Sequence, residues 1–194
     1  MFKRSAILFA LCIPFSAANA AICSNSLAVP STTPSNQFTL VASPGGEEQD
    51  APVVVDNKTG LMWERCSHEF TWNSVSGVCE STEASAGGMI WSSALDKAIG
   101  TNSVGGNLHL GYNDWRLPNL KELASIIEQQ CQNLTINQEI FPGSMDWNYW
   151  TNTHLYGLKN DGSTEIRVVD FRSGVVDKVS PQSNAFLRLV RDPE

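Results

Sequence analysis

The chain has 194 residues, 13 basic and 20 acidic, with a formal net charge of −7 at pH 7. That length suits one domain with a real hydrophobic core. The acidic balance argues against nucleic acid or anionic lipid as a partner, and against sulfated polysaccharide unless a local basic patch exists.

Residues 1–20 read as a secretory signal peptide: Lys3 and Arg4 precede an apolar run from Ala6 to Phe15, and Ala18-Asn19-Ala20 forms an A-x-A cleavage site. The run is too short to serve as a comfortable membrane span. Lipidation is disfavoured because Cys12 follows Leu11 and Cys23 follows Ile22, where a small residue is needed. Cleavage leaves 174 residues with 11 basic and 20 acidic side chains, a net charge of −9. The expected product is exported and periplasmic, cell-surface or extracellular, with no membrane insertion after cleavage.

Cleavage also removes Cys12 and leaves Cys23, Cys66, Cys79 and Cys131. An even number in an oxidising compartment predicts two disulfides, with three pairings open. The short loop rich in Ser, Gly and Asn between Cys66 and Cys79 favours that pair, which leaves Cys23 with Cys131. Zinc is disfavoured at these cysteines, because no close C-x2-C partner is present.

Residues 21–50 are rich in Ser, Thr, Pro, Asn and Gly and read as an extended arm, with a short strand available at Phe38-Thr39-Leu40-Val41. The domain is expected over residues 51–194. Val53-Val54-Val55, a turn at Asp56-Asn57-Lys58-Thr59-Gly60 and a return at Leu61-Met62-Trp63 predict a hairpin. The cysteine-bounded segment reads as a loop. Trp91, Ala94, Leu95, Ala98 and Ile99 fall on one helical face, and Gly100 can end that helix. A Gly/Asn loop over 101–114 leads to Trp115-Arg116-Leu117-Pro118. Asn119 can then cap a second helix running to about Gln130, with Glu122 placed to complete a capping box. After Pro142 come an aromatic, polar stretch at 146–152, a turn at Asn160-Asp161-Gly162 and a hairpin of 165–171 with 175–179. A last strand is expected over 185–191. The fold class is α+β: two short helices packed on mainly antiparallel strands, with two disulfides.

The chemistry is sparse. His68, His109 and His154 are the available neutral-pH bases, and none lies in a G-x-S-x-G, H-E-x-x-H or P-loop motif. Glu122 and Glu128 are six residues apart and do not form a glycosidase pair. No enzyme activity, metal site or cofactor is expected. The best binding candidates are Trp147, Asn148, Tyr149 and Asn152, because indole and phenol rings stack on sugar faces while amides hydrogen-bond to hydroxyls. Strand alternation puts Trp150 in the core and leaves Tyr149 facing out. Trp63 and Trp115 are expected in the core. Arg116 is a candidate anion contact, with a neighbouring carboxylate such as Asp114 as the competing partner.

Several of these segments, in this order, resemble the Lcl C-terminal domain-like family. They are 56–63, Trp91 with Ala94-Leu95, 114–119 with Glu122-Leu123, Ile136-Asn137 before Phe141-Pro142, Tyr149-Trp150-Thr151, Val169-Asp170-Phe171 before Gly174, and 188–191. The resemblance covers roughly residues 50–191, and Cys66, Cys79 and Cys131 match a subgroup. It implies a bacterial, exported, adhesin-type module that binds a glycan or a surface protein, with self-association worth testing. A structural role in an envelope or appendage complex is the alternative. More distantly the chain is similar to the C-type-lectin-like superfamily, which implies a lectin-like fold. It carries no Gly-X-Y stalk, and it lacks the Glu-Pro-Asn and Gln-Pro-Asp triplets of calcium-dependent lectins. Tyr149 stands where their Trp-Asn-Asp element has its carboxylate.

Overall fold

A computed structural model describes residues 23, 26–42, 51–81, 87–100, 108–155 and 164–193. The signal peptide and the Asn160-Asp161-Gly162 turn lie outside the described residues. The strands are β1 (Phe38–Val41), β2 (Val53–Asp56), β3 (Met62–Glu64), β4 (Phe70–Asn73), β5 (Val78–Ser81), β6 (Asn148–Leu155), β7 (Glu165–Asp170), β8 (Val175–Val179) and β9 (Val190–Arg191). The helices are α1 (Trp91–Gly100) and α2 (Leu120–Ala124). The strands form three sheets, β1-β2-β3-β9, β4-β5 and β6-β7-β8, and the neighbours in each pair antiparallel.

The first hairpin follows from its turn. The Asp56 carboxylate accepts the amide of Lys58 at 2.9 Å and the hydroxyl of Thr59 at 2.8 Å. Gly60 then takes a φ of 76°, which a side chain would strain. β1 adds to the outside of this hairpin, so part of the arm is built into the domain. The arm is fastened further by Glu128, whose carboxylate accepts the amides of Thr32 at 2.9 Å and Thr33 at 2.8 Å and the hydroxyl of Ser31.

The inner strands of both larger sheets are buried on two faces. Val54, Trp63, Val190, Tyr149 and Val169 enter one core with Leu123, Ile126, Ile136, Phe141 and Phe171. Their chain neighbours Val53, Met62, Leu189, Trp150 and Val168 enter a second core with Trp115, Leu117, Ala94 and Ala98. Successive residues of one strand therefore serve different cores, as the period of two requires. Trp63, Trp115 and Trp150 are all buried, as expected.

The expected last strand divides. Phe186 exchanges backbone hydrogen bonds with β6, donating to Asn148 at 2.8 Å and accepting from Trp150 at 2.9 Å, whereas Val190 pairs with Trp63 of β3. The segment 185–191 thus crosses from one sheet to the other, and only Val190–Arg191 remains as β9. At the crossover the buried guanidinium of Arg188 donates to the carbonyls of Glu64 at 2.7 Å and Arg65 at 2.6 Å, and to the Ser144 hydroxyl at 2.7 Å.

Other differences have local causes. The capping box at Asn119 and Glu122 forms, with bonds of 3.0 and 2.7 Å, but α2 stops at Ala124. The Ser125 hydroxyl takes the Glu122 carbonyl at 2.6 Å, and the chain turns so that Ile127 can bridge to Ile136. In α1, Ala94 and Ala98 are buried as expected, but Ile99 is 68% exposed. The cysteine-bounded segment is a hairpin, β4-β5, whose turn is capped by the Asn73 side chain accepting the amides of Val75 and Ser76. Both expected disulfides are present, Cys66–Cys79 and Cys23–Cys131.

Candidate functional site

Trp147 precedes β6 at the rim of the β6-β7-β8 sheet, and its indole is 47% exposed. Two contacts hold the backbone there. The Trp147 carbonyl accepts the amide of Phe171 at 3.1 Å, and the Tyr149 hydroxyl accepts the amide of Met145 at 2.9 Å. The guanidinium of Arg172 stands 4.8 Å from the centre of the Trp147 ring, a cation–π contact that orients the indole. Beside it opens a cleft of about 580 Å³, lined by Trp147, Asn148, Val179, Ser183, Asn184 and Phe186. Trp147, Asn148, Ser183 and Asn184 therefore line one open depression. Asn184, Ser183 and Arg172 carried no signal in the sequence, because they reach this place only through the chain crossover and the β7-β8 hairpin.

The other expected contacts are elsewhere. Tyr149 is fully buried, which corrects the expectation of an outward phenol. Its ring meets Phe171 edge-on at 5.0 Å and Phe186 at 5.7 Å, and its hydroxyl also bonds that of Ser67. Alternation did not expose it because the sheet has a core on each side. Tyr149 can position the Trp147 loop but cannot touch a ligand at the surface. Asn152 is exposed farther along β6, where its backbone N–H donates to the Pro118 carbonyl at 2.8 Å. Arg116 is committed to carboxylates: it donates to both oxygens of Glu122 at 2.8 and 3.1 Å and to both of Asp192 at 3.0 and 3.1 Å. The hydrogen bond to Glu122 is the main cause that raises its pKa above the usual arginine value. Asp114 pairs instead with Arg191, at 2.6 and 3.0 Å.

A second constellation lies at the end of β3. The Glu64 carboxylate receives ring nitrogens from His68, at 2.9 Å, and His109, at 2.6 Å. Burial alone would push the Glu64 carboxyl up, but the two imidazoles outweigh it and hold it at about 2. Burial would likewise lower the His68 pKa, yet the Glu64 charge raises it above the ordinary histidine value. The sequence shows each histidine without a recognisable motif. His68 follows Glu64 by four residues, but His109 arrives from a distant loop, so no spacing rule could have joined the three. Among the described residues, three ligand-type side chains therefore converge at one point.

The model of the Lcl C-terminal domain matches residues 52–191, from the residue before β2 to the end of β9. The chain belongs to the Lcl C-terminal domain family. Among the described residues, the match includes strands β2 to β9, together with the Trp147 cleft and the Glu64 cluster. Comparison with curated proteins gives no match.

Proposed function

We propose that this Lcl C-terminal domain chain is an exported, non-catalytic binding module that recognises a glycan through the Trp147 cleft. One observation carries the reading: the half-exposed Trp147 lines one open cleft with Asn148 and Asn184. Sugars present an apolar face to aromatic rings and hydroxyls to amides, and this set offers both partners. The net charge of −7 favours a neutral glycan over a sulfated one. Two disulfides fit an oxidising compartment, and among the described residues no helix is long and apolar enough to cross a membrane. Both agree with export. The adhesin-type resemblance drawn from the sequence agrees with an adhesive role. The non-catalytic reading rests on the sequence, where no histidine lies in a G-x-S-x-G, H-E-x-x-H or P-loop motif.

The test is an array of glycans and matrix proteins probed with the chain, with and without calcium and at two salt concentrations. Saturable, calcium-independent binding to a neutral glycan, little changed by salt, is the expected result. Binding confined to sulfated glycans and lost at high salt would overturn the neutral-glycan reading.

A second reading rests on β8. It lies at the edge of its sheet with Val175 and Val176 exposed, which suits strand addition by a surface or appendage protein. In that case the chain would be an assembly component, and cross-linking in envelope fractions would trap a partner at β8.

A further inference from the structure

We propose that Glu64, His68 and His109 form a binding site for a divalent first-row transition metal ion, with zinc as the reference ion. The ligand atoms are Glu64 Oε1, His68 Nδ1 and His109 Nε2, which all lie within 4.8 Å of one another. Oε1 is 2.9 Å from Nδ1 and 2.6 Å from Nε2. Ligands bound at about 2.0–2.1 Å around a tetrahedral or octahedral ion stand about 2.9–3.4 Å apart, so a small spreading at the carboxylate and a closing of the two imidazoles would admit the ion.

Each of the three residues is held by neighbouring groups. The other Glu64 oxygen, Oε2, accepts the Leu189 amide at 2.7 Å, so the carboxylate is aimed before any ligand arrives. The His68 amide donates to the Leu187 carbonyl at 2.7 Å. The His109 carbonyl accepts both the Trp115 indole at 2.8 Å and the Tyr112 amide at 3.0 Å, and its ring rests edge-on against Trp115 at 5.9 Å. Such support from neighbouring groups is what a preorganised metal site needs.

The cluster is also reachable. The side chain of His109 is 28% exposed, and the three residues border a cleft of about 70 Å³ with Phe70, Trp72 and Leu110. That volume accommodates about two waters at roughly 30 Å³ each, enough to complete a coordination shell. Two imidazoles and one carboxylate with an open side suit zinc, iron(II), cobalt(II) or nickel(II) better than calcium or magnesium, which prefer all-oxygen sets. The four cysteines at 23, 66, 79 and 131 are paired as disulfides and offer no thiolate in competition. The site shares no residue with the Trp147 cleft, so it stands or falls independently of the glycan reading.

The experiment is calorimetric titration of zinc into the chelator-treated, disulfide-intact full chain and its His68→Ala and His109→Ala variants. Cobalt(II) absorption spectra serve as a second readout, and circular dichroism checks the fold of each variant. The expected result is one zinc per wild-type chain, weakened at least about tenfold by either substitution, with cobalt d–d bands that both substitutions abolish. If His68→Ala fails to fold, His109→Ala, on the more exposed residue, still decides. No saturable zinc binding by the wild type, or equal affinity in a folded His109→Ala variant, would overturn the proposal.

Discussion

Arg188 and Glu64 hold one chain crossing from both sides. The Arg188 guanidinium donates to the Glu64 carbonyl at 2.7 Å, and the Glu64 carboxylate accepts the amide of Leu189, the next residue, at 2.7 Å. This reciprocal clamp lies where the chain leaves β6 for β3, so it couples the two larger sheets. Arg188→Met would leave the carbonyls of Glu64 and Arg65 without their guanidinium donor and the Glu64 charge without its nearby cation. The expected loss is about 3–5 kcal/mol, read by urea unfolding. Arg188→Lys should recover little, because an ammonium cannot reproduce the guanidinium fork.

The Cys66–Cys79 bridge closes a loop with a sequence separation of 13 and pins the β4-β5 hairpin. That hairpin buries little of its own surface, although Arg65 stacks over Trp72 at 3.6 Å. The double variant Cys66→Ser with Cys79→Ser should lose about 2–3 kcal/mol, and limited proteolysis should cut first within 70–81.

Glu128 fastens the arm, and its carboxyl is held at about 2. Burial would raise it, but hydrogen bonds from Ser31, Thr32, Gln130 and Thr33 favour the ionised form. Because the folded value lies below the ordinary one of 4.5, the stabilisation is full above pH 4.5 and is lost as pH falls through about 2. Stability curves of the wild type and Glu128→Gln should therefore lie apart at neutral pH and converge in acid. A gap that stays constant down to pH 2 would contradict this.

Much of the fold was legible because it rests on local rules. The Asp56–Gly60 turn, the Asn119–Glu122 box and the pairing of 165–171 with 175–179 are each written within a few residues. What escaped depends on distant chain crossings. A strand with a core on both faces shows no polar side, so Tyr149 and Trp150 could not be told apart by alternation. The segment 185–191 reads as one strand because nothing local marks the point where it changes partners. In the candidate site, Trp147 and Asn148 were legible as an aromatic, polar pair. Asn184 and Arg172 were not, nor was the convergence of His68 and His109 on Glu64.

Trp147 and Tyr149 should separate binding from stability. Trp147 is about half exposed, so Trp147→Ala, which loses the buried half of the indole and the Arg172 contact, should cost about 1–2 kcal/mol and leave the fold intact. Tyr149→Phe removes the hydroxyl shared with Ser67 and the Met145 amide, and should cost about 1–3 kcal/mol. Thermal and urea unfolding of the two variants side by side checks both values.

The most direct measurement of the central claim is nuclear magnetic resonance mapping of side-chain signals during titration with the best array glycan. The account expects shifts concentrated at the Trp147 indole N–H and at the amide groups of Asn148 and Asn184, and their loss in Trp147→Ala. Saturable binding that leaves these signals unmoved, or that survives unchanged in Trp147→Ala, would contradict it.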